Sequence, residues 1–564
     1  MKLKILKIIA SNLIIILAIN IAFYNSPISI DLTHDKRYTL SKASREIMEN
    51  LEEDVTINLF LDTQLPSNFK RLLIATKDIL NQYKNASNNN ININLIDPFK
   101  NKSIAEQEEM VSFLSSKGID IMNITTVEDG QKKQKLIIPA AIISKGSKNL
   151  GVNLLSSDIK LVTNNQEEII SKSIENLEYT FSIALKQISI KNKPLIGFTL
   201  GHSELNDNNV KDISFTLAKL YNVLRVDLKK IKLSDLLKFE SIIIAKPQTA
   251  FSEIEKYKLD QFLMNNKSVM LLANYNNASN ELLMAGQGNL LTTPININLD
   301  DMLFKYGLKL NYNIVQDLIC SSISVISGSQ NQNNTQEIMP WVYYPLLIAN
   351  KNHIISKKIG SVKSEYISTI DILKDRESRK TVLLTTSKFN RESGLPALVS
   401  LEVLGQKPKD KDFDNTPKIA ALLLEGKFNS VFKNRNNIFI NEGGLDAKYI
   451  DKSQDAKLIV ISDGNIIKNE LASDNSIYPL GFDKYSQITY ANKDFISNAV
   501  NYISGNADLV KLNAKTIILP LLNKEKAAKE ELIWQIINTV LPIILILLFY
   551  TTIAFIRKIK LNNY

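Results

Sequence analysis

The apolar residues of this chain follow three different patterns, and each predicts a different kind of element. Short runs such as LIGFTL, SIIIA (241–245), SVMLLA (268–273), TVLLTT (381–386), IAALLL (419–424) and KLIVIS (457–462) carry no polar alternation. Runs of that length, apolar on both faces, predict strands covered from two sides, as in a mainly parallel sheet. Between them, Ile213, Leu217, Leu220 and Tyr221 recur at helical spacing, and Ser252 with Glu255 forms a capping box that opens a helix through Tyr257 and Phe262. The expected fold over 193–510 is therefore a large α/β domain.

Upstream the order is different. Ser41 is placed to cap a helix whose apolar face is Ile47, Met48 and Leu51. Strand VTINLFL (55–61), helix FKRLLIATKDILNQY, strand ININLID (91–97), a helix at 104–117, then IDIMNI and KLIIPAAIIS follow in turn. This β-α-β-α-β-β order over 28–165 resembles a thioredoxin-like layer, but no Cys-x-x-Cys is present, so a structural or docking role is expected. A helix at about 166–189, within a connector 166–192, leads into the larger domain. GSQNQNNTQE (328–337) reads as a mobile surface loop.

The third pattern lies at the ends. Residues 3–24 hold an apolar run behind Lys2, Lys4 and Lys7, long enough for an uncleaved anchor, because the small-residue cleavage pattern is poor (Asn20 before Ala22). Trp534 to Ile556 is 23 residues without a charge, enough at ~1.5 Å per residue to span a ~30 Å hydrocarbon layer. Arg557 and Lys558 close it. The charged run 524–531, within 520–533, predicts a solvated juxtamembrane helix. Positive flanks at both ends predict a two-pass protein of the cell (inner) membrane, both termini cytoplasmic and the bulk of the chain extracytoplasmic.

Charge changes the picture less than it first suggests. The balance of Lys+Arg 68 against Asp+Glu 58 is +10, but six basic residues sit at the extreme ends. Setting them aside takes +10 to +4, and no basic stretch interleaved with aromatics is present, so nucleic acid is not an expected partner. One cysteine, Cys320, excludes an internal disulfide framework and a thiolate zinc site; the residue reads as core packing.

Candidate chemistry gathers at the strand ends. Gly201-His202-Ser203-Glu204, Lys246-Pro247, Asn274, Glu425-Gly426 and Asp463-Gly464 each follow an apolar run. In an open α/β sheet, ligands bind outside the carboxyl ends of the strands. On that analogy Gly201, His202, Ser203, Glu204, Asn274, Glu425 and Asp463 are expected to share one recognition edge for a small sugar-like or peptide ligand, with nearby carboxylates favouring a charged His202. The plainer alternative is that His202 and Glu204 only stitch loops together, with the Asp-Gly pair a turn in which Gly supplies a positive φ. A metal site needs three or four convergent ligands and a nucleophile needs an oriented base. Neither pattern is present, so no metal, cofactor or catalytic residue is expected.

Several stretches in order resemble a known family: DLTHDKRYTLS (31–41), NLEYTFSIALKQI (176–188), GHSEL (201–205), DMLFKYGLKLNYNIVQDLIC (301–320), WVYYPL (341–346), LLEGKFNSVFKNR (423–435), VISDGNIIKN (460–469) and YPLGFDKYSQITYANKDFISNAVNYI (478–503). The chain is similar to the gliding-motility-associated ABC transporter auxiliary components, the GldG family, nearly end to end. The resemblance implies an inner-membrane complex with a separate ABC ATPase and a multispan permease. It agrees with the absence of a Gly-x4-Gly-Lys-Ser/Thr loop and with too few spans for a pore. Where the family carries Gly-His-Gly-Glu this chain has Ser203; where it carries Gly-Gly it has Asn265-Asn266; where it carries Asp it has Asn274. These departures argue against a shared acid-dependent chemistry. The expectation is a non-enzymatic auxiliary or substrate-binding-like subunit. The rivals are a membrane-anchored hydrolase or amidotransferase-like enzyme using His202 and Glu204, and a purely structural envelope scaffold.

Overall fold

Twelve strands form the main sheet, nine of them along one continuous path. The structure, a computed structural model, describes residues 39–562 except 62–64, 101, 129–130, 156–165, 328–334, 375–376, 406–411, 434–447, 473, 475 and 516–528. The chain divides into a body, Met1–Thr516, and a second unit, Ile517–Tyr564.

The body begins with α1 (Lys42–Glu49), capped as expected by Ser41, whose hydroxyl accepts the Ser44 N–H at 3.1 Å. Then come β1 (Val55–Leu59), α2 (Ser67–Ala86), β2 (Ile91–Leu95) and α3 (Ile104–Ser116). The hairpin β3 (Met122–Glu128) and β4 (Gln131–Ile137) stands apart as its own two-stranded sheet. The final pair, β5 (Ala140–Lys145) and β6 (Lys148–Asn153), joins the others in the order β2-β1-β5-β6. β1 and β2 are parallel; β5 runs antiparallel to β1, and β6 antiparallel to β5, so β5 alone is reversed in this sheet. KLIIPAAIIS is thus two strands and not one. Pro139 has no N–H to give a ladder, so the run breaks there and its halves enter different sheets. The long α4 (Gln166–Ser189) covers this layer with Leu177, Phe181 and Leu185.

The large sheet holds β7 (Leu195–Leu200), β8 (Asn222–Asp227), β9 (Phe239–Ala245), β10 (Ser268–Leu272), β11 (Cys320–Ser327), β12 (Thr335–Ala349), β13 (Ser378–Thr385), β14 (Ile419–Gly426) and β15 (Ala456–Ile461). Their order is β11-β12-β13-β14-β15-β10-β9-β7-β8. From β15 to β8 the neighbours are parallel. From β15 to β11 every pairing is antiparallel. The sheet is mixed, which corrects the expectation of a mainly parallel one. Thr335 to Glu337, expected in a loop, belong to β12, while 328–334 lie outside the described residues.

Every residue of β10 is buried, as an apolar run covered from both sides requires. α5 (Lys211–Ala218) and, later, α7 (Asn492–Ile503) pack Ile213, Leu217, Phe495 and Val500 on one face. α6 (Glu253–Met264) packs Tyr257, Phe262 and Leu263 on the other. α6 has the capping box read from its sequence: the Ser252 N–H and hydroxyl both donate to Glu255 Oε2, at 2.9 and 2.6 Å.

The body closes with α8 (Ala507–Asn513), which packs against α1, α4 and α7. Just beyond it, Lys515 Nζ donates to the Thr39 carbonyl and to Glu178 Oε2, each at 2.8 Å. Glu178 is buried on α4, and its Oε1 also accepts the Ser41 N–H at 2.7 Å and the Ser44 hydroxyl at 2.8 Å. The first and last described residues of the body are therefore clasped through one carboxylate.

The second unit contains α9 (Glu531–Asn562). Its stretch Glu531–Phe555, 25 residues of mean hydropathy 2.4 and fully exposed, is long and apolar enough to cross a membrane. The anchor read at 3–24 and most of the juxtamembrane helix at 520–533 lie outside the described residues.

Candidate functional site

The chain leaves β7 through a tight turn in which Gly201 and Ser203 both take positive φ, 113° and 57°. The turn folds His202 inward until only 1% of it is exposed. Its ring stacks on Phe251 at 3.8 Å between centroids. Nε2 lies 3.2 Å from Glu255 Oε1, and Nδ1 lies 3.5 Å from Glu204 Oε1. Neither ring nitrogen makes an aligned hydrogen bond, so these are close charge contacts. The remaining oxygen of Glu204 accepts the His202 N–H at 2.6 Å, while that of Glu255 is spent on the capping box. Burial works to lower the imidazole pKa, but the two carboxylates outweigh it and the net shift is upward. Burial likewise pushes Glu204 up, and hydrogen bonding from His202 more than reverses it. This is a closed cluster joining the end of β7 to the start of α6, with no open face for a substrate.

The next strand ends are different. β9 runs into Lys246, a non-glycine residue at φ 59°. Its conformation is bracketed by Gly464 after β15: a Cβ there would lie 2.5 Å from Lys246 Cβ and 2.9 Å from its Cα. Gly464 is needed for this close approach, and positive φ, the reason read from sequence, does not apply to it. Beside it Asn274, at the end of β10, accepts the Gly464 N–H at 2.6 Å and donates to the Tyr366 carbonyl at 2.9 Å. Asp463 accepts the N–H groups of Glu365 at 2.9 Å and Asn465 at 2.7 Å. It is fully buried, and that burial first, with the Glu365 charge adding, pushes its pKa up to about 7.

A cleft of about 380 Å³ opens at the carboxyl ends of the parallel strands; neither Asn274 nor Asp463 lines it, but Asp463 holds the N–H groups of Glu365 and Asn465, which do. Its charged lining is Lys246, Glu281, Lys363, Glu365, Lys468, Glu470 and Lys484. Lys246 Nζ is held by Asn465 Oδ1 at 2.7 Å. Burial lowers its pKa most, and the neighbouring Lys468 adds to that against the pull of Glu365, Asp463 and Glu281.

Of the residues read from sequence, Asn274 and Asp463 join this edge, and Gly201, His202, Ser203 and Glu204 sit at the end of β7 but in the sealed turn. Glu425 does not join them. β14 is antiparallel to β15, so Gly426 pairs with Ala456 and the end of β14 lies at the opposite edge of the sheet. There Glu425 holds Arg379 and the Tyr502 hydroxyl, each at 2.6 Å. Sequence reading missed Glu281, Lys363, Glu365, Lys468, Glu470 and Lys484. The dense polar run DGNIIKNE (463–470) carried a signal for two of them. Among the described residues no group of three His, Cys, Asp or Glu is placed to hold a metal ion.

Comparison with known proteins follows the same division of the chain. Residues 34–144 match a domain of unknown function, DUF7088. Residues 193–499 match the family described as an ABC-type uncharacterized transport system. An uncharacterized protein of Borreliella burgdorferi is 24% identical over 419 residues, covering 72% of this chain and 74% of its own. Among solved structures, the mmIFT52 N-terminal domain overlays at TM-score 0.31 with 12% identity, over 55% of this chain and 97% of that one. A putative ThuA-like protein from Bacteroides uniformis overlays at TM-score 0.27 with 10% identity, over 56% and 93%. Neither overlay is close enough to carry a fold or a function across. The match over 193–499 covers more than half of the sequence, and on that ground the chain belongs to the ABC-type transport-system auxiliary family.

Proposed function

We propose that this auxiliary component is a non-enzymatic extracytoplasmic subunit of a gliding-motility-type (GldG) complex, working beside a separate ABC ATPase and a multispan permease. The observation that carries the reading is the cleft of about 380 Å³ at the strand-end edge. Its size falls in the ~300–1,000 Å³ range of small-molecule sites, and its place is where open α/β sheets hold ligands. In this reading the cleft is the recognition surface, either for a small ligand or for outer loops of the permease. The buried His202 supports a non-enzymatic role, because a general base must come within hydrogen-bond reach of its substrate. The N-terminal layer, with strand order β2-β1-β5-β6 and one parallel pair, is read as a thioredoxin-like docking domain.

The topology belongs to the same proposal: two spans, 3–24 and 534–556, in the inner membrane, with both termini cytoplasmic. A cytoplasmic reporter after Tyr564 is expected to be active, as is an export-dependent reporter near Gln330. A cytoplasmic location for residue 330 overturns this topology. The complex itself is tested by mild-detergent purification. The ATPase and permease are expected to come down with the protein; its recovery alone under several such conditions sinks the reading.

A further inference from the structure

The cleft has two ends that differ in how their charges are satisfied. At one end Lys363 and Lys484 both reach Glu470, at 3.4 and 3.3 Å, and Lys363 also lies 3.7 Å from Asp483. Those cations are neutralised where they stand. At the other end, among the described residues, neither Lys246 nor Lys468 has a carboxylate within ion-pair distance. Lys246 is anchored by an amide oxygen and not by a charge. Yet Glu281 and Glu365 line the same space. They are close enough to act on Lys246 through the field, and Lys468 and Lys246 act on Glu281 in turn, after burial and its own local hydrogen bonds. Two cations and two carboxylates thus face one cavity without collapsing onto one another.

Lys246, Glu365 and Lys468 are partly buried while Glu281 is exposed, and charge left unpaired where it is partly desolvated is costly unless a partner arrives. A phosphate would meet Glu281 and Glu365 as repulsion, and a neutral sugar would leave all four charges uncompensated. A molecule carrying a carboxylate and an ammonium satisfies both pairs. We propose that the cleft binds a small zwitterion of the peptide class, its carboxylate between Lys246 and Lys468 and its ammonium at Glu281 and Glu365. Asn280 and Asn465 line the same space; their amide oxygens accept from the Tyr366 hydroxyl and Lys246, which leaves their NH2 groups to suit peptide carbonyls. The volume suits two or three residues. This rests on the cleft being the recognition surface.

The test is calorimetric titration of the full chain in mild detergent, with trialanine as probe. N-acetyl-trialanine amide, lacking both charges, and inorganic phosphate, lacking the ammonium, are the controls. Trialanine is expected to bind, and the two controls to fall short by about tenfold or more. Lys468→Met, at a half-exposed position that leaves the scaffold intact, is expected to lose a similar factor, and Glu365→Gln likewise. No binding of trialanine up to several millimolar, equal binding of the capped peptide, or unchanged binding by Lys468→Met each overturns the proposal. If the ATPase and permease still copurify in that case, only the ligand class fails; if they do not, the subunit reading fails with it.

Discussion

Two groups of charges lie at neighbouring strand ends of one sheet, and their fates differ. Around His202 an imidazole sits between two carboxylates and all three are sealed from water. Around Lys246 the charges stay apart and the space between them stays open. Composition does not separate the two clusters, since both contain basic groups beside Glu. The turn geometry does. Gly201 and Ser203 bend the chain back so that His202 drops under the start of α6, whereas Gly464 gives way so that Lys246 can stand at the rim. A charge that finds its partner inside the chain is architecture, and one left waiting is a place for something else.

The sharpest way to break this contrast is to empty the sealed cluster. His202→Ala leaves two buried carboxylates facing each other and is expected to destabilise the body by about 3–5 kcal/mol. A denaturation midpoint equal to the unmodified protein's would show that the cluster does not hold the fold. Gly464→Ala attacks the open side. Its methyl would fall within van der Waals contact of Lys246, so a loss of about 1–3 kcal/mol is expected, together with loss of trialanine binding. Unchanged affinity in that variant would detach Lys246 from recognition.

Acidity tests both clusters at once. His202 has a folded pKa above its ordinary 6.5, so its contribution is complete below that value and fades as pH rises through the folded one. Asp463, raised from 3.8 to about 7, also binds its proton more tightly when folded, and its contribution fades between those values. Both slopes have the same sign. Thermal stability is expected to fall from pH 5 to pH 8, and Asp463→Asn should flatten the part below about 7. Stability that climbs over that interval would contradict the assignment. The smallest effect is expected at the far edge: Glu425→Gln should leave ligand affinity unchanged, because the end of β14 points away from the cleft. A change there of more than about 0.5 kcal/mol would mean that the two edges communicate.

Much of this was legible from residue order. The apolar runs, α4 from 166 to 189 and the Ser252–Glu255 box were all set by local period and capping chemistry. Strand direction was not, because a buried run such as IAALLL reads the same either way. A clue was nevertheless present. Parallel neighbours need a crossover of about a dozen residues or more, usually helical, and between Thr385 and Ile419 the described residues form two short strands, Asn390–Gly394 and Ala397–Ser400, and no helix beyond a 3₁₀ turn, Leu401–Gly405. That gap spoke against Glu425 sharing an edge with Asp463. Lys363 and Glu365 carried no such clue, since they reach the cleft from a connection in the antiparallel half.

The clasp of Thr39, Glu178 and Lys515 decides how the body can respond to a pull. Because its first and last described residues meet at one carboxylate, tension applied through both chain ends would not run across the sheet. It would load a single ion pair and its hydrogen bonds, leaving the core of β7 to β10 outside the line of force. A load applied there would meet the clasp before it met the cleft.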